Sequence, residues 1–206
     1  MEIVQRLLNY ILKRFRTGVV IINRVVILGS PGSGKSTLAK KLGKSARIAV
    51  VHMDKLFWKP GWLQSTREEL LAKQEIHLKK SSWIIEGNYS LVWDERLKKA
   101  DTIIFLDLNR FLCIYRILKR WVLNRGRVRD DLAPGCPDRM TIEFLHYVWK
   151  FPYKKRDQMI KAVLIQQDHA QTIIINNKKA VKQFIDHLEF SPILSSYSEL
   201  TFKKYQ

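Results

Sequence analysis

Gly29, Ser30, Pro31, Gly32, Ser33, Gly34, Lys35 and Ser36 fit G-x-x-x-x-G-K-[ST] at every fixed position. The glycines let successive backbone N–H groups converge on phosphate oxygens, where a side chain would block the approach. Lys35 adds a point charge toward the outer phosphates, and the helix expected to start there directs its positive end at them. Ser36 offers a hydroxyl to Mg²⁺, and Thr37 continues the cradle into the first helical turn. The pattern calls for ATP with Mg²⁺.

A phosphate cradle needs an acid on a neighbouring strand to hold the metal's shell. Glu86 and Asp107 each end an apolar run and both qualify; Glu86 is the first choice, with Ser36, and Asp107 the second. Asp54, just past the run 48–51, suggests a different task. A phosphate acceptor arrives ionised and needs arginines, whereas a hydroxyl acceptor gains from a carboxylate that orients it and takes its proton. Asp54 therefore points to a hydroxyl, while Arg67 on the next helix keeps a nucleoside monophosphate open. Phe57, Trp58 and Trp62 crowd behind Asp54 as a wall for a flat or apolar acceptor, or as a small satellite core. Gly87, Asn88 and Tyr89 follow Glu86 and supply backbone space and hydrogen bonds.

Residues 110–129 carry Arg110, Arg116, Lys119, Arg120, Arg125, Arg127 and Arg129 and no acid. Such a run repels itself unless anions or solvent compensate. Arg116 and Arg120 lie one helical turn apart, so Arg116 can stack on a base while Arg120 neutralises the transferring phosphate. Arg127 flanks the hinge-competent Gly126, ahead of the loop 133–137, and Arg139 and Arg156 can join from the far side. The expected catalytic set is Lys35, Asp54, Arg116 and Arg120.

Short β-branched runs at 25–28, 48–51, 83–85, 102–106 and 172–175 supply the scaffold. They lack strict alternation, as strands buried on both faces of a parallel sheet do. Helices are expected over 35–44, 66–80, 109–125, 141–150 and 155–169, the second opening with the capping-box spacing of Ser65 and Glu68. The fold class is α/β: a P-loop NTPase with a doubly wound five-stranded parallel sheet and a helical lid, about 110–169, inserted between strands four and five. The kinase-like domain is taken as 24–190.

The remaining segments are a basic amphipathic extension at 1–23 and a tail at 191–206. Ile3, Leu7, Ile11 and Phe15 form the extension's apolar face, which could pack on a neighbouring surface or, through residues 1–18, touch an anionic membrane. The 206 residues hold 37 Lys plus Arg against 19 Asp plus Glu, a net charge of +18, with 46% hydrophobic residues. That composition is globular, and its partner is anionic. Cys113 and Cys136 form no disulfide framework or zinc set, which reads as cytoplasmic. No helix-turn-helix, zinc-finger or RNP-like pattern supports nucleic acid, so a small-molecule phosphate acceptor is favoured over it. Oligomeric state leaves no mark on the sequence.

These segments resemble the P-loop kinases of the adenylate and shikimate kinase group. Glu86-Gly87 looks like the acid–glycine pair that opens the nucleoside-monophosphate kinase signature, and Arg116 with Arg120 looks like the paired lid arginines of adenylate kinases. More narrowly, the chain resembles a bacterial family related to adenylate kinase and named for modulating DNA topology. The matching stretches are 52–62, 83–90, 100–107 and 126–139, within about 24–160, and Asp54 through Trp62 is the most distinctive. The resemblance implies a phosphotransferase acting on a small molecule or nucleotide, with Asn176 or Lys178 bordering the adenine. The family's name adds an alternative, an ATP-binding regulator of DNA topology.

Overall fold

The computed structural model describes residues 22–124 and 129–190, the side chains of 187–190 excepted. Five strands form one parallel sheet in the order β2-β5-β1-β6-β7. They are β1 (Arg24–Gly29), β2 (Val50–His52), β5 (Trp83–Glu86), β6 (Thr102–Leu106) and β7 (Gln171–Ile175). β1 is central, with Val26 opposite Ile85 on one side and Ile103 on the other. The five apolar runs of the sequence are these strands, and the order reverses at β1, as doubly wound sheets require.

Alternate side chains leave the sheet on opposite faces, and both faces are covered. Val26, Leu28, Ile85, Ile103 and Phe105 pack beneath three helices: α3 (Arg67–Leu78), α4 (Trp93–Lys99) and α7 (Arg156–Leu164). Val25, Ile27, Ile84, Ile104, Leu106 and Ile173 meet α1 (Lys35–Ala46) and α8 (Lys178–Phe190), with Ile22 also buried there. Each such side chain stabilises by roughly 1.5–3 kcal/mol when buried, so a strand of this composition needs a layer on either side. Between β6 and β7 stand α5 (Arg110–Leu123), α6 (Ile142–Lys154) and α7, joined in part by the loop 129–141. This is the helical insertion that the sequence requires.

Several elements depart from expectation. α3 is capped by Thr66, not Ser65: the Thr66 hydroxyl accepts from Glu69 N at 3.2 Å and the Glu69 carboxylate accepts from Thr66 N at 3.0 Å. The Ser65 hydroxyl is committed elsewhere, to Leu56 O and Lys73. The aromatic stretch after Asp54 folds as a short helix, α2 (Met53–Phe57), and an antiparallel hairpin of β3 (Trp58–Lys59) and β4 (Leu63–Gln64). The amphipathic segment 1–18 and the tail 191–206 lie outside the described residues, as do Arg125, Gly126 and Arg127. No described helix is long and apolar enough to cross a membrane.

Candidate functional site

The loop between β1 and α1 opens at the carboxyl end of the central strand. Gly29, Gly32 and Gly34 take φ of 142°, 79° and 102°. A Cβ on Gly29 would stand 2.4 Å from Leu106 O, and one on Gly32 would stand 2.4 Å from Cys113 O. The loop is thus seated against β6 and α5 too tightly for any side chain. Lys35 Nζ donates to Gly29 O and Ser30 O, both at 3.0 Å, which curls the loop around its own ammonium. Burial pulls the Lys35 pKa down, and the charges of Glu86 and Asp54 oppose that. The Ser33 hydroxyl is buried and has no hydrogen-bond partner. Spare donors in a turn that excludes side chains are what a phosphate chain requires, so the residues fit ATP.

Glu86 ends β5 and is 3% exposed. Its Oε1 accepts from Ser36 Oγ at 3.1 Å and lies 2.8 Å from His52 Nδ1, so an ionised carboxylate places the His52 proton on Nδ1. Burial would raise the Asp131 pKa, but the Arg129 charge and the nearby Ser36 hydroxyl hold it below its ordinary value. The Ser36 proton itself goes to Glu86. Among the described residues no cluster of three or more His, Cys, Asp or Glu has metal-ligand geometry. The oxygen donors beside the phosphate loop are the Ser36 hydroxyl and the Glu86 carboxylate, of the kind Mg²⁺ takes, since it keeps most of its waters and binds one or two carboxylates beside the phosphates. Asp107 is engaged elsewhere: Arg156 clasps it through Nε at 3.0 Å and Nη2 at 2.8 Å.

Asp54 sits half-buried at the start of α2. Tyr89 donates its hydroxyl to Asp54 Oδ1 at 2.5 Å. Burial and then the neighbouring Glu86 raise the Asp54 pKa, against the Tyr89 bond and the Lys35 charge. Asn88 behaves as a piece of strand, with Nδ2 donating to Gly29 O at 2.9 Å and Oδ1 accepting from Gly29 N at 3.2 Å. Tyr89 holds a left-handed φ of 34°, and Gly87 one of 128° where a Cβ would meet Met53 at 2.7 Å. The fully buried Arg96 fixes this turn. Its guanidinium donates to Gly87 O at 2.8 Å, Asn88 O at 2.5 Å and Gln74 Oε1 at 2.7 Å.

The arginines of the insertion divide. Arg116 donates to Ser33 O at 2.9 Å, placing its guanidinium on the cradle itself. Arg120 approaches Asp138 at 3.4 Å, and Arg129 approaches Asp131 at 3.1 Å and Asp138 at 3.5 Å. The loop 133–139 then docks on the β3–β4 hairpin. Gly61 N donates to Gly135 O at 3.1 Å, Cys136 Sγ to Lys59 O at 3.2 Å, and the Arg139 guanidinium stacks 4.3 Å over Trp62.

Together these groups line a cleft of about 1470 Å³, room for two substrates. Pro31 through Thr37, Asp54, Phe57, Trp58, Glu86, Gly87, Asn88, Tyr89, Arg116 and Arg120 all face it, and so does Lys178. Gly29 and Ser30, at the start of the loop, are not in the lining. Arg67 is not in the lining: it is exposed and donates to Leu91 O at 3.2 Å. Sequence reasoning missed His52, Arg96, Asp131 and Asp138. Of these, Asp131 carried a signal, since Asp130 and Asp131 directly follow the arginine run.

No protein-family model and no curated protein matches the chain. Solved structures do. A shikimate kinase from Acinetobacter baumannii in complex with shikimate superposes with a TM-score of 0.51 at 15% identity, covering 86% of this chain and 94% of that one. A candidate kinase from Chloroflexus aurantiacus gives 0.50 at 15% identity over 82% and 98%. The fold is that of the small-molecule P-loop kinases. At this identity the likeness concerns fold alone, and it does not reach the adenylate-kinase-related topology family.

Proposed function

We propose that the protein is a Mg²⁺-ATP-dependent phosphotransferase whose acceptor is a hydroxyl group on a small molecule. The observation that carries this reading is Asp54, a carboxylate of raised proton affinity held by Tyr89 in the same cleft as the phosphate loop. An acceptor hydroxyl beside Asp54 gives its proton to the carboxylate as its oxygen bonds to the terminal phosphorus and the bond to the bridging oxygen breaks. Gly32, Gly34 and Lys35 hold the donor's phosphates, Arg116 reaches them from α5, and Arg120 supports the charge that spreads in the transition state. Ser36 and Glu86 would hold Mg²⁺, which when bound neutralises phosphate charge. Phe57, Trp58 and Tyr89 wall the acceptor side, where Phe57 and Tyr89 lie 4.8 Å apart and Phe57 and Trp58 4.9 Å. The kinase unit is taken as 24–190 with its lid at about 110–169.

The fold shared with a shikimate kinase supports the class of reaction. A regulator acting on DNA topology rests on net charge and on the name of a family that the comparisons do not reach, and Arg120 and Arg129 already have carboxylate partners in the cleft. Screening hydroxylated metabolites, nucleosides and nucleotides for ATP consumption tests the proposal. Turnover with a hydroxyl acceptor that Lys35→Ala abolishes in a folded protein is the expected result. Turnover that survives Lys35→Ala would sink it.

A further inference from the structure

The α5–α6 pair turns one face inward, through Cys113, Ile117, Val148 and Phe151, and another outward to solvent. The outward face is apolar. On α5 it consists of Phe111, Tyr115, Leu118 and Val122, spaced four, three and four residues apart, with Phe111 61% and Val122 65% exposed. On α6 it consists of Ile142, Trp149 and Tyr153 at matching spacing, with Ile142 83% and Tyr153 71% exposed. The two stripes are one surface: Phe111 and Trp149 meet edge-to-face at 5.4 Å, and Arg110 lies 4.1 Å over Trp149 while donating to Tyr153 at 2.7 Å. Soluble surfaces seldom carry such a patch without a partner.

Charge says which partner. α5 contains no acid and α6 contains only Glu143, while Lys119, Lys150 and Lys154 flank the stripes. A second copy would bring the same positive rim against itself. A nucleic-acid backbone would satisfy the lysines and leave the seven large side chains of the face uncovered. Trp and Tyr among aliphatic residues, edged by lysine, is the composition that settles at the boundary between headgroups and acyl chains.

We propose that the outer face of α5 and α6 docks on an anionic lipid bilayer, with the aromatic stripes in the interface and the lysines on the headgroup phosphates. Arg116 and Arg120 leave α5 toward the cleft, so a docked protein keeps its site facing water. The inference stands independently of the reaction proposed above.

Co-sedimentation of the full chain with phosphatidylglycerol–phosphatidylcholine vesicles tests it, with pure phosphatidylcholine as comparison. Binding to the anionic vesicles should fall by about tenfold or more in Tyr115→Ser/Leu118→Ser/Val122→Ser. It should also fall in Lys119→Glu/Lys150→Glu, a pair that keeps the apolar face intact. Unchanged thermal midpoints show that both variants fold. Equal binding by wild type and both variants overturns the proposal, and so does binding lost only in Leu7→Ser/Ile11→Ser. A chain that ignores vesicles but self-associates through the same face overturns it in favour of a dimer.

Discussion

A carboxylate that must accept a proton works best when its proton affinity lies near the working pH. Burial and Glu86 move Asp54 upward in that direction, while the Tyr89 hydroxyl, by donating to the ionised form, holds it back. Removing that donor must raise the Asp54 pKa further. We therefore expect Tyr89→Phe to move the acidic limb of the pH–kcat/KM profile to higher pH, since the base becomes ionised later as pH rises. A limb that stays in place, or moves down, would remove Asp54 from the role of base. Asp54→Asn should lower kcat by roughly 10²–10⁴-fold. Arg96 acts one layer further out. Burial lowers its pKa to about 9, against the charge of Glu86, so it is still a cation at neutral pH. Arg96→Met leaves Gly87 O, Asn88 O and Gln74 Oε1 without their donor, at about 1–3 kcal/mol for each buried acceptor. Urea unfolding should register that loss, and the KM for the acceptor should rise more than the KM for ATP. Nothing in the sequence marks Arg96. It sits in a charged stretch, Asp94 through Lys99, where only the packing of α4 decides which residue turns inward.

The contact between the loop 133–139 and the β3–β4 hairpin joins the insertion to the hairpin that follows Asp54. Gly135 has a φ of 73°, and a Cβ there would stand 3.1 Å from Pro60 Cβ. Gly135→Val should therefore push the loop off the hairpin, costing about 1–2 kcal/mol for the left-handed backbone alone. Without that seal, water reaches the phosphates more readily. The expected outcome is ATP hydrolysis without acceptor that rises several-fold, read alongside weaker coupling to acceptor turnover. Equal rates in the two proteins would mean that the contact is packing only. The loop 133–137 was legible as a cover for the phosphates, but its seat on the hairpin was not. The five sheet strands could be read because each is a run of β-branched residues that must be covered on both faces. The hairpin has strands of two residues joined through Pro60 and Gly61, too short for any period to register. The arginine run was legible as charge, but Asp138, which meets both Arg120 and Arg129, lies well past its end. Which arginines it neutralises is fixed by the tertiary fold.

Across the whole molecule the net charge of +18 sets two effects against each other. Self-repulsion of a compact cation weakens the folded state and is relieved by any salt. Binding of a nucleotide to a built cradle stabilises the fold by mass action, about 2.7 kcal/mol at one hundred times Kd. For a chain of 206 residues each kcal/mol moves Tm by about 2–4 °C. Saturating ATP with Mg²⁺ should thus raise Tm by roughly 5–10 °C. Sodium chloride at matched ionic strength should raise it by less, and in proportion to screening. Lys35→Ala separates the two, because it removes one charge in thirty-seven but takes away the ammonium that organises Gly29 O and Ser30 O. The nucleotide shift should disappear in that variant and the salt shift should survive. If the nucleotide shift persists, ATP is acting as one more polyanion on a basic surface, and the loop is not its site.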